Sequence, residues 1–185
     1  NDSYTILMLS TLTDNSWLFQ RSMTPEQLTK KTSDGRTALV LAAMHNKIQF
    51  MTPLTLECNL HDKNRKTALM YAAERGNAEC MAYIKEAEIL REDVNGKTAL
   101  MYAAENGHAK CVRELLNVAG RGLKRRLDDA DVGATALMIA AKNGHVDCVK
   151  VLIEKELGLK DKAGATAAMY AARNGHVGCV ILLSE

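Results

Sequence analysis

The sequence predicts an all-α solenoid of about six helix–turn–helix repeats, the first two of them degenerate. Three observations carry this expectation. One phrase recurs: residues 98–116 read TALMYAAENGHAKCVRELL, residues 135–153 read TALMIAAKNGHVDCVKVLI and residues 166–183 read TAAMYAARNGHVGCVILL, with weaker copies from Thr67, Thr37 and Thr5. The opening threonines at 5, 37, 67, 98, 135 and 166 are 32, 30, 31, 37 and 31 residues apart. That spacing suits one supersecondary unit stacked on copies of itself. Within each clear copy, apolar residues recur at helical spacing between turn signals.

The unit around Thr98 shows how each element arises. Asp93-Val94-Asn95-Gly96 is a turn sequence, since Gly accepts positive φ and Asp and Asn bond nearby backbone. Thr98 sits where a helix N-cap belongs, its hydroxyl able to accept from an unpaired N–H. Leu100, Ala103 and Ala104 mark the buried stripe of a short first helix, and the paired alanines allow a neighbour to approach closely. Asn106-Gly107 ends that helix, as both residues tolerate the left-handed conformation. A second helix from about His108 to Leu116 carries Cys111, Val112, Leu115 and Leu116 on its apolar face.

The early copies depart from this unit. In the copy from Thr37, Asn46-Lys47 stands in place of Gly-His, and Pro53 falls inside the second helix. A proline there predicts a kink or a later helix start at Thr52-Pro53. In the copy from Thr5, Ser10-Thr11 replaces Ala-Ala, and Thr24-Pro25-Glu26-Gln27 carries the start signals of an extra short helix. The reading is a single domain over 1–185, with a degenerate capping repeat over 1–33 and repeats over 34–66, 67–94, 95–131, 132–162 and 163–185. The chain opens on Asn1 and stops at Leu182-Leu183-Ser184-Glu185, where the last helix should be finishing, so a fragment of a longer protein is expected.

Composition narrows the function classes. With 185 residues and 47% apolar content, the chain can bury a continuous core without disulfides or metal. It carries 24 basic and 22 acidic residues, a net charge of +2, too balanced to imply nucleic-acid or membrane binding. No apolar run reaches the roughly 18 residues of a membrane span, and no secretory signal is visible. Five cysteines, an odd number, read as free thiols in a reducing intracellular, cytoplasmic setting.

Here the chain resembles the ankyrin-repeat family over essentially its whole length. That family's unit runs approximately D-x-x-G-x-T-P-L-H-x-A-A-x-x-G-H-x-E-x-V-x-L-L. Asp93, Gly96, Thr98, Leu100, Ala103, Ala104, Gly107, His108, Val112, Leu115 and Leu116 fall on matching positions. The departures are regular. Ala follows the Thr in place of Pro, and Met8, Met70, Met101, Met138 and Met169 replace the first His. The resemblance therefore implies that the family's Thr–His hydrogen bond gives way to a packed thioether. The wording TALMYAAENGH, with cysteine in the second helix, is similar to ankyrin arrays of diplomonad protists. There such arrays occur as ankyrin-only proteins and as tails of NIMA-related kinases.

Two constellations bear on chemistry. Cys80, Cys111, Cys148 and Cys179 share one repeat position, and His108, His145 and His176 each precede one by three residues. A three-residue step places both on one helical face, a spacing that metal ligands use. Equivalent residues of stacked helices, however, lie about 8–10 Å apart, too far to share an ion or a disulfide. The cysteines are thus expected as small buried apolar residues, and the resemblance implies that the histidines bond backbone in the inter-repeat turn. No nucleotide, nucleophile-elbow or zinc-protease motif is present. The chain reads as a non-enzyme, with no catalytic residue, no cofactor and no metal.

The resemblance implies a protein-interaction scaffold that binds through its concave face and turn fingers. Carried onto this chain, those positions are Lys63, Lys66, Glu74 and Arg75, then Asn95, Lys97, Glu105 and Asn106, then Lys142, Asn143, Lys162, Arg173 and Asn174. Tyr71, Tyr102 and Tyr170 lie near the same face, either packed between repeats or offering ring and hydroxyl to a partner. This set is richer in basic than acidic residues, so the expected partner is a protein with an acidic segment, bound by a monomer with no nucleic acid and no membrane insertion. The insertion over 119–131 places four basic residues before three acidic ones and reads as a solvated loop, with a role on the binding face as the alternative. Two other functions remain open: a regulatory or targeting segment of a larger enzyme such as a protein kinase, and a metal- or redox-responsive protein using the Cys/His ladder.

Overall fold

The computed structural model describes residues 4–119 and 133–184, so most of the 119–131 insertion lies outside the described residues. Among the described residues, helices come in six consecutive pairs. These are α1 (Ile6–Leu12) with α2 (Ser16–Ser22), α3 (Ala38–Met44) with α4 (Ile48–Leu54), and α5 (Ala68–Arg75) with α6 (Ala78–Glu88). Then come α7 (Ala99–Glu105) with α8 (Ala109–Ala119), α9 (Ala136–Lys142) with α10 (Val146–Glu156), and α11 (Ala167–Arg173) with α12 (Val177–Ser184). First helices pack side by side in one layer, α1 on α3 through α9 on α11, and second helices α4 to α12 in another. The fold is the expected all-α stack of helix pairs.

Thr5, Thr37, Thr98, Thr135 and Thr166 cap the first helices in extended conformation, each hydroxyl accepting from the backbone N–H three residues on. Thr67 starts its helix without that bond. The methionine in place of the family's first histidine does more than pack. In the Thr135 repeat, the Met138 thioether accepts the Thr135 backbone N–H at 3.5 Å. The core is one continuous cluster of small and aliphatic side chains, with Ala42, Ala43, Ala72, Ala73, Ala103, Ala104, Ala140 and Ala141 fully buried. Alanine there brings helix axes close, so larger residues would push neighbouring repeats apart.

Buried carboxylates brace the stack. Glu88, at the end of α6, accepts from Leu69 N and Asn59 N, both at 2.8 Å, and so ties the start of α5 to the preceding repeat. Glu57 does the same for Thr29 N (3.2 Å) and Leu39 N (2.8 Å), and Glu156 accepts from Leu137 N at 2.7 Å. Each satisfies helix-start donors that the helix itself cannot. Burial raises the Glu88 carboxyl pKa, against the opposing pull of its two N–H bonds.

Two local expectations change. Pro53 does not delay its helix: α4 starts at Ile48, in register with its counterparts, and ends one residue past the proline. The chain then tightens into a 3₁₀ turn over Thr55–Glu57, which carries Glu57 to its two donors. A proline in the last turn forfeits one hydrogen bond, and the helix stops instead of bending. Thr24-Pro25-Glu26-Gln27 forms no helix. Gln27 N and Leu28 N both bond Thr24 O, a single turn with too few bonds to propagate. Asn106-Gly107 ends α7 as expected, with Asn106 at φ −99° and Gly107 supplying the left-handed residue at 76°.

The degenerate copies keep the junctions by other chemistry. Asn46 supplies the positive φ (54°) that glycine supplies elsewhere, and Lys47 at the histidine position pairs with Asp14 of the first repeat. Ser10 and Thr11, in place of Ala-Ala, are buried with their hydroxyls bonded to Leu7 O at 2.8 Å. Trp17, Ile6 and Leu9 of the first pair are apolar and exposed.

Candidate interaction surface

The turn fingers are built from aspartates. Asp93 accepts from Asn95 N and Lys97 N with one oxygen, and from the Tyr102 hydroxyl with the other, all at 2.8 Å. Asp62 makes the same three bonds to Asn64 N, Lys66 N and Tyr71 OH. Asp161 takes Tyr170 OH at 2.8 Å and Ala165 N at 2.7 Å. The tyrosine hydroxyls therefore point into their own repeat's turn and brace it. Burial, and then the bond to Asp62, pushes the Tyr71 hydroxyl up to about 12; Tyr102 is shifted further in the same direction. Neighbouring fingers also join through backbone, Lys63 N to Asp34 O (3.1 Å) and Val94 N to Asn64 O (2.9 Å).

A cation ladder runs between the rings. The Lys66 ammonium lies 4.3 Å from the Tyr71 centroid and 4.0 Å from the Tyr102 centroid, and Lys97 lies 4.7 Å from Tyr102. Lys66 also pairs with Glu74 at 2.7 Å, and Lys97 with Glu105. Lys66 is only 8% exposed. These lysines and glutamates neutralise each other and hold this face of the first helices in one arrangement.

The sixteen candidate residues thus divide by what already engages them. Lys66, Tyr71, Glu74, Lys97, Tyr102, Glu105 and Tyr170 are tied into the ladder and the finger braces. Asn106, Asn143 and Asn174 donate their side-chain amides back to Tyr102 O, Ile139 O and Tyr170 O at the ends of their own helices. Lys142 is half-buried, and its carbonyl accepts from His176 at 2.9 Å. Lys63, Arg75, Asn95, Lys162 and Arg173 are exposed along the fingers and helix ends. Exposed Arg65, at a fingertip with φ of 60°, adds a basic group that the repeat comparison passes over.

The Asp–Tyr brace did have a sequence signal. Asp62, Asp93 and Asp161 stand nine residues before Tyr71, Tyr102 and Tyr170, whereas Leu41 and Ile139 stand nine after Thr32 and Ala130. Aspartate and tyrosine come and go together. Tyr102→Phe should lower stability by about 1 kcal/mol in denaturant unfolding, since it strips one donor from a buried carboxylate.

The histidines link repeats. His108 bonds Glu74 O at 3.0 Å, His145 bonds Glu105 O at 2.9 Å and His176 bonds Lys142 O at 2.9 Å, each ring packed on the turn glycine of the repeat before it. Asn77 takes this place in the third repeat, donating to Ala43 O at 2.8 Å and Met44 O at 3.1 Å. Cys80, Cys111, Cys148 and Cys179 are buried, and burial pushes the first three thiols up to about 11. In the native protein at pH 8, a thiol reagent should modify half-buried Cys58 first and the other four at the rate of unfolding. Prompt labelling of all five would revive the redox-responsive reading.

A stack of helix pairs joined by braced turn fingers is the architecture of a helical repeat protein, and no helix among the described residues is long and apolar enough to cross a membrane. The sequence matches the family model for ankyrin repeats (3 copies) over residues 49–126 and 119–185. The chain belongs to the ankyrin-repeat family. No curated protein matches it.

Proposed function

We propose that this chain is a non-catalytic protein-interaction scaffold that binds an acidic segment of a partner protein along its turn fingers and the adjoining ends of its first helices. The observation that carries the reading is the charge left over once the ladder is formed. Lys63, Arg65, Arg75, Lys162 and Arg173 are exposed and make no ion pair among the described residues, while Lys66 and Lys97 are already matched by Glu74 and Glu105. A frame fixed by its own hydrogen bonds loses little ordering entropy when it binds.

The test is charge reversal at positions that hold nothing else in place. Lys63→Glu/Arg75→Glu/Arg173→Glu should unfold at the same temperature as the parent and bind its partner about tenfold more weakly, with a shallower salt dependence. Partners are first isolated by capture from a native lysate, then measured by calorimetry against parent and variant. Equal affinity for both would move the contact to the 119–131 insertion or the convex side.

A further inference from the structure

Resting on the scaffold function proposed above, we propose that the partner's acidic segment seats two carboxylates on Lys142 and Arg173, at the ends of α9 and α11. It presents them three residues apart in polyproline II conformation. Two repeat positions point there. The residue before the capping threonine is Lys66, Lys97, Ala134 and Ala165 in the third to sixth repeats. The residue seven after that threonine is Glu74, Glu105, Lys142 and Arg173. In the third and fourth repeats the two positions pair, Lys66 with Glu74 at 2.7 Å and Lys97 with Glu105. In the fifth and sixth, the same two positions hold one base and no acid.

The charge pattern therefore changes along the stack. A carboxylate approaching Lys66 or Lys97 competes with a glutamate already in place, and Lys66 is held between the rings of Tyr71 and Tyr102. At Lys142 and Arg173 the repeat supplies no such glutamate, and alanine stands where the ladder lysine would lie. Complementary charge thus favours the α9 and α11 end of the surface. The spacing follows from the packing. α9 and α11 lie side by side, and packed helices stand about 8–10 Å apart. A polyproline II segment rises about 3.1 Å per residue with three residues per turn, so every third side chain shares one side at about 9 Å intervals. In a β-strand, same-side residues fall about 7 or 13 Å apart and miss that interval.

The experiment titrates the full chain with fluorescent peptides and reads anisotropy. One peptide repeats Glu-Pro-Pro four times, a second repeats Gln-Pro-Pro, and a third separates the same number of glutamates by three prolines. The Glu-Pro-Pro peptide should bind about tenfold more tightly than either of the others. Lys142→Glu/Arg173→Glu places glutamate where Glu74 and Glu105 already stand, so it should melt with the parent and bind about tenfold more weakly. Lys142→Gln/Arg173→Gln, which adds no negative charge at a helix end, should show the same direction of loss. Lys63→Glu/Arg75→Glu should lose less than either. Loss at Lys63 and Arg75 but not at Lys142 and Arg173 overturns this placement and leaves acid binding intact. Equal binding of the two glutamate peptides overturns the spacing and with it the proposal. No binding of either glutamate peptide overturns the acidic-partner reading as well.

Discussion

Glu88→Ala should lower the unfolding free energy by about 3 kcal/mol, because two buried backbone donors, Leu69 N and Asn59 N, lose their only acceptor at roughly 1–3 kcal/mol each. For a chain of this size that is a drop in melting temperature of about 6–12 °C. Glu88→Gln should lose about half as much, since an amide keeps one acceptor oxygen and turns its NH₂ on the other donor. The pH dependence has a definite sign. The folded-state pKa of Glu88 is raised, so the native state binds that proton more tightly than the unfolded chain. Its contribution is fully present below the unfolded value of about 4.3 and is lost as pH rises through the raised folded value. The stability difference between the parent and Glu88→Gln should therefore narrow over that interval. Paired thermal melts at a series of pH values check both signs.

Gly107→Ala should destabilise by about 2–4 kcal/mol, and the equivalent Gly175→Ala by only about 1 kcal/mol. Both glycines hold left-handed φ, 76° and 75°, where an L side chain costs about 1 kcal/mol or more. Only Gly107 also has a ring against it: a Cβ there would lie 2.7 Å from Nδ1 of His145 and displace the bond from that ring to Glu105 O. Chemical denaturation of the two variants separates backbone strain from junction packing. Equal losses at the two sites would mean that the histidine is not seated as described.

Much of this frame was legible in the residues. The threonine caps, the alanine pairs and the Gly-His turns each have one local cause that acts within a few residues, so repetition exposed them. The histidines' backbone bonds followed from the family pattern. What escaped were contacts whose partners lie far apart in sequence or whose chemistry changes between copies. Glu57, Glu88 and Glu156 look like solvated charges on helix ends until the stack brings the donors of other segments to them. Lys47 and Asn77 stand at the histidine position in the sequence, but the bonds by which they hold the junction, to Asp14 and to Ala43 O, are visible only in space. Among the candidate binding residues, sequence placed Lys63, Arg75 and Arg173 at exposed fingers and helix ends, but could not tell them from Lys66, which the same pattern puts one helix start away and the fold buries between two tyrosines.

The most direct test of the scaffold reading is amide hydrogen exchange of the full chain, free and saturated with its captured partner. The account predicts added protection at the fingers around 63–65, 94–97 and 162–164 and at the ends of α5 and α11, with α6, α8 and α10 unchanged. Protection confined to those second helices, with the fingers exchanging as in the free protein, would contradict it.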